Sequence, residues 1–129
     1  MKHLHFDVET SGFYGAYWAC AGGSDCAVIT MIGDDPEDLL AHSAAKWLCG
    51  RGVNVFTMSP AKKDYGHHNY PLECIEAAIS WLKANGSQKI CIAGASTTGT
   101  LALTAAAMFP DITLTIAMTP SDFVWQGFM

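Results

Sequence analysis

The sequence predicts an α/β fold, a mostly parallel sheet flanked by helices. Three observations carry that expectation. Short apolar runs alternate with longer segments whose apolar residues recur at helical spacing. Several of the short runs are continuous, as in strands buried on both faces. Glycine, proline and aspartate mark the junctions between them.

The elements follow in order. HLHFDVE (3–9) alternates in polarity and reads as a strand. GFYGAYWAC (12–20) is aromatic and reads as its hairpin partner, with Thr10-Ser11-Gly12 as the turn. CAVITMIG (26–33) is an unbroken apolar run, a buried parallel strand. A helix follows from about Asp35, which can cap it, with Pro36 in the first helical position. Leu39, Leu40, Ala44, Trp47 and Leu48 form its apolar stripe, and Gly50 and Gly52 end it. VNVFTM (53–58) is a strand and SPAKKDYGHHNY (59–70) a polar loop. A second helix covers 71–86, KICIAG (89–94) is a strand, and 96–109 is a third helix stopped by Pro110. ITLTIAMTP (112–120) is the last strand.

This order describes one domain over residues 1–129. Strands alternating with helices of this length need right-handed crossovers. Chemistry in such sheets gathers at the carboxyl ends of the strands. Gly33-Asp34-Asp35, the 59–70 loop and Gly94-Ala95-Ser96 stand at those ends.

Composition removes several function classes. The chain is 50% hydrophobic and 15% charged, which argues against disorder. Its net charge is −5 and its Lys and Arg are scattered, so no basic stripe awaits nucleic acid. No apolar run reaches membrane-spanning length and the first residues lack a signal-peptide core, so a cytoplasmic protein is expected. The five cysteines are irregularly spaced and read as reduced, buried thiols. No cofactor and no metal are expected.

The stretch KICIAGASTTGTLALTAAAMFP (89–110) carries the sharpest signal. A strand ends in Gly-Ala-Ser and a helix of small residues begins at once. A nucleophile elbow has this form, with a strained serine exposed between strand and helix and small residues around it. Gly94 stands two before Ser96, but Thr98 occupies the usual glycine position two after it. The backbone N–H of Thr97 would be one oxyanion donor, and a second is expected around Gly33 and Asp34. The competing reading makes Ser96 an ordinary helix N-cap.

This order resembles the α/β-hydrolase fold through its sixth strand. More narrowly, the stretch from Cys26 to the C-terminus is similar to the C-terminal domain of the acyl-CoA thioester hydrolase / bile acid-CoA:amino acid N-acyltransferase family. CAVITMIGDDPEDLLAHSAAKWLCGRGVNVFTMS, YPLECIEAAISWLKAN and KICIAGASTTGTLALTAAAMFPDITLTIAMTPSDFVWQG carry the resemblance. It implies a serine nucleophile at Ser96, oxyanion donors at Thr97 and Asp34, and hydrolysis of an acyl thioester or ester through an acyl-enzyme. It also implies an aspartate and a histidine on loops after later strands. The chain stops after its sixth strand, so it is expected to be the N-terminal part of the fold, incomplete at the C-terminus and a poor enzyme alone.

Candidates for the missing groups are few. His3 and His5 share one face of the first strand and read as surface residues, with a two-histidine metal patch as the alternative. His42 reads as a solvated or capping helix residue. His67 and His68 lie on the loop after the fourth strand, and Asp122 follows the last strand. Asp34 and Asp35 read as loop and cap residues rather than acid catalysts. Two other functions compete with the hydrolase. One is a non-catalytic binding module that dimerises through the exposed edge of the sixth strand. The other is a flavodoxin-like binder holding a phosphate on Ser96–Gly99.

Overall fold

The computed structural model describes residues 2–60, 62 and 70–120. His67, His68, Asp122 and the aromatic residues of the final stretch lie outside the described residues. The elements run β1 (Leu4–Phe6), α1 (Val8–Ser11), β2 (Gly15–Trp18), β3 (Cys26–Met31), α2 (Leu39–Cys49), β4 (Asn54–Met58), α3 (Leu72–Ala84), β5 (Lys89–Ala95), α4 (Thr97–Met108) and β6 (Ile112–Met118). The six strands form one sheet in the order β1-β2-β4-β3-β5-β6. β1 and β2 are antiparallel to their neighbours, and β4, β3, β5 and β6 are parallel. The predicted α/β class is what the chain adopts.

Two local expectations are corrected. The hairpin joining β1 to β2 holds a four-residue helix, α1, where a tight turn was expected. Asp7 caps it by accepting the Thr10 N–H at 2.8 Å, and Gly12 leaves it at φ 81°. The second correction concerns α2, which starts at Leu39 rather than at Pro36. Its cap is Asp38, whose side chain accepts the Ala41 N–H at 2.9 Å, and not Asp35. Three aspartates in five residues could each cap. Asp38 directly precedes Leu39 and reaches the helix start, while the Asp35 side chain is held by Lys62 and the Glu37 N–H.

Alternation along the strands divides the core in two. Ala27, Ile29 and Met31 of β3, Phe56 and Met58 of β4, and Ile90 and Ile92 of β5 pack with α3 and α4. On the opposite face, Trp18 and Val55 pack with Ala45 and Cys49 of α2. Trp18 is fully buried, and its Nε1–H donates to Thr57 Oγ1 at 3.0 Å. Thr57 donates in turn to the Pro36 carbonyl at 2.6 Å, tying the loop before α2 to the core. Among the described residues, no helix is long and apolar enough to cross a membrane.

Candidate active site

β5 and α4 meet at Ser96 with no loop between them. That junction needs glycine where the two backbones cross. A Cβ on Gly94 would lie 2.2 Å from the Thr98 carbonyl oxygen, a distance no side chain tolerates. Gly99 meets the next strand: a Cβ there would lie 3.0 Å from the Met118 carbonyl oxygen. Thr98, at the position where the elbow pattern has glycine, does not crowd the turn. Its hydroxyl accepts the Ala95 N–H and donates to the Ala95 carbonyl, both at 2.9 Å. The same hydroxyl is therefore already engaged and does not reach out to a phosphate.

Ser96 has φ 55° and ψ −118°, in a region that L residues rarely enter. Such a conformation costs on the order of 1–3 kcal/mol and persists where the surroundings enforce it. Here the Ser96 N–H donates to the Met118 carbonyl at 2.8 Å, and its carbonyl accepts the Thr100 N–H at 3.1 Å. Ser96 is exposed and makes no side-chain cap hydrogen bond to α4. It holds the N-cap position without the bond that makes serine a good cap.

Ala95 and Thr97, which flank Ser96, line a cavity of about 430 Å³. Asp34, in the loop that follows β3, lines the same cavity. Met31, Ile32, Leu40, Ile116 and Met118 make the rest of its wall mostly apolar. The structure thus brings Thr97 and Asp34, read from the sequence as oxyanion donors, to one cavity beside Ser96. The Asp34 N–H, however, is engaged: it donates to Asp38 Oδ2 at 2.8 Å. Sequence reasoning missed Asp38, and the S/T/D/N preference at helix starts was the signal that could have found it.

The loop 33–38 is pinned from several directions. Ser59 Oγ donates to the Gly33 carbonyl at 2.8 Å. Asp35 pairs with Lys62 and accepts the Glu37 N–H at 2.8 Å. Burial pushes the Asp35 carboxyl up, but the Lys62 and Glu37 hydrogen bonds and the nearby charge of Lys62 outweigh it. The net result holds Asp35 below the usual carboxylate range.

The described histidines stand elsewhere. His3 and His5 hold the two oxygens of Glu37, at 2.5 and 2.6 Å. His42 is exposed, as a solvated helix residue would be, and packs edge-on to Trp18 at 4.6 Å, while Asp38 caps the helix. None of the three lines the cavity. No group of three or more His, Cys, Asp or Glu among the described residues could hold a metal ion. Burial raises the Cys91 and Cys49 thiols, the latter with help from Cys20, so neither is an activated nucleophile.

No protein-family pattern and no curated protein matches the chain. Among solved structures, it is similar to Est1E from Butyrivibrio proteoclasticus, with a TM-score of 0.64 and 20% identity. The match covers 93% of this chain and 51% of that one, so the chain spans about half of Est1E. With the strand order above, this likeness gives the chain an α/β-hydrolase-like fold.

Proposed function

We propose that the chain carries the nucleophile part of a serine hydrolase acting on acyl thioesters of the CoA type, or on esters. The observation behind this reading is Ser96 itself: exposed, at positive φ, between β5 and α4, and without a cap bond. A serine kept in a strained, uncapped position is hard to explain as a helix cap. In the proposed reaction Ser96 Oγ attacks the acyl carbonyl carbon and its proton passes to a general base. The C–S or C–O bond breaks, the thiol or alcohol leaves with a proton, and water then cleaves the acyl-serine. The developing oxyanion turns to the backbone N–H groups of Thr97 and Asp34. The apolar wall of Leu40, Ile116 and Met118 suits the acyl part.

The base is not among the described residues around the cavity. A serine without one is a weak nucleophile, and loss of a triad member leaves only residual catalysis. The first test therefore uses a reactive probe rather than a substrate. A fluorophosphonate should label the protein at Ser96, located by peptide mass mapping, and Ser96→Ala should abolish the label. Labelling elsewhere, or none, sinks the reading.

A second reading rests on β6. Among the described residues it pairs with β5 on one side only, and it carries no charge or proline that would guard its other edge. A second copy pairing through this edge would make the protein a dimerisation module. Leu114→Lys should then abolish concentration-dependent association in sedimentation velocity. A concentration-independent monomer in the unaltered protein removes this reading.

A further inference from the structure

We infer that Asp38 competes with the substrate's oxyanion for the Asp34 N–H, so that one of the two oxyanion donors stays latched until charge develops on the substrate. The inference rests on the hydrolase reading above. Asp38 Oδ2 accepts the Asp34 N–H at 2.8 Å and the Asp35 N–H at 3.2 Å, while Oδ1 accepts the Ala41 N–H at 2.9 Å. The carboxylate lies so close to Gly33 that a Cβ there would meet Asp38 Oδ2 at 2.5 Å. Gly33 thus gives Asp38 its seat, and its φ of 86° directs two successive N–H groups at one oxygen.

The contact discriminates between the ground state and the transition state. A carboxylate accepts an N–H more strongly than a neutral carbonyl does. A ground-state acyl carbonyl therefore does not displace Asp38. An oxyanion carries comparable charge, and the exchange becomes nearly balanced only as that charge develops. Asp38 keeps the Asp35 and Ala41 N–H groups when Asp34 leaves, so the switch strands no charge. The rest of the loop need not move, because the Gly33 and Pro36 carbonyls stay tied to Ser59 and Thr57. Asp38 is accordingly a positioning residue: it touches the donor, not the substrate.

The test is Asp38→Ser, which retains a cap acceptor for Ala41 but is too short to hold Asp34 as well. Asp38→Asn serves if the serine variant does not fold. Two readouts are taken on the full chain: site-resolved hydrogen exchange at the Asp34 amide, and the rate of Ser96 labelling by a neutral fluorophosphonate. Exchange at Asp34 should rise at least about tenfold while Ala41 stays protected. Labelling should accelerate by roughly tenfold to a hundredfold, the span of one hydrogen bond to a charged group. Unchanged exchange overturns the latch. Faster exchange with unchanged labelling overturns the competition, since Asp34 would then not serve the oxyanion. No labelling in either protein overturns the Ser96 reading and the role of Asp38 with it, even where exchange shows the contact itself.

Discussion

On one face of the sheet, Ile29, Phe56 and Ile92 lie fully buried beneath α3 and α4. On the other, Leu114, Ile116 and Met118 of β6 remain 59%, 48% and 60% exposed. Their register partners are Cys91, Ala93 and Ala95, which alternate with the buried Ile90 and Ile92 and so face the α2 side. α2 covers β2 and β4 there, and a cavity lies between its Leu40 and Ala44 and the Ile116 and Met118 of β6. The β6 residues are as apolar as the buried ones and differ in what lies over them. The face under α3 and α4 is closed, and so is the α2 side over β2 and β4. The open β6 end borders the candidate site, since Ile116 and Met118 line its cavity.

The sharpest way to break that contrast is to truncate one large apolar side chain on each face to alanine. Phe56→Ala should destabilise the protein by about 3–5 kcal/mol in denaturant unfolding, through lost burial and the cavity left behind. Leu114→Ala should cost under about 1 kcal/mol, because the side chain is already half in water. Similar losses at the two positions would show that the β6 face is covered in solution. At the site end of the open face, Ser96→Gly should stabilise by about 1 kcal/mol. Glycine relieves the positive φ, and the gain exceeds its extra unfolded-state entropy. No stabilisation would mean that Ser96 is not strained.

A smaller effect separates the pinned loop from the faces. Asp35 is held below its unfolded value, so its contribution is present above about pH 4 and fades as pH falls through the lower folded value. Asp35→Asn should therefore cost under about 1 kcal/mol near neutral pH, the pair with Lys62 being partly exposed. Its stability gap to the unaltered protein should close in acid; a gap that widens contradicts the assignment. Smallest of all, Glu37→Gln should shift thermal unfolding by only about 0.5 kcal/mol, since it loosens His3 and His5 without touching either core.

Much of this fold was legible in the sequence because its signals are local. The continuous runs CAVITM and NVFTM become the central parallel strands, and Gly94-Ala95-Ser96 becomes a direct strand-to-helix junction. What escaped depends on distance or on rivalry between equal candidates. His3 and His5 find Glu37 more than thirty residues away, which no spacing rule reveals. Asp35 and Asp38 were equally good caps by residue type, and the distant Lys62 that engages Asp35 could not be read from spacing. α1 was hidden because Asp7 and Thr10 make a one-turn helix from residues that also make turns. The departure at Thr98 became intelligible only through its two bonds to Ala95.

The Met118 carbonyl accepts the Ser96 N–H, and Met118 also sits against the Gly99 backbone. The last described strand is thereby a mechanical anchor for the elbow. A force that peels β6 from β5 would release the Ser96 amide in the same event, before any core on the α3 side opens. In a pulling experiment the edge strand and the serine turn should yield as one unit. The posture of Ser96 is thus read out at the sheet edge, some distance from its own side chain.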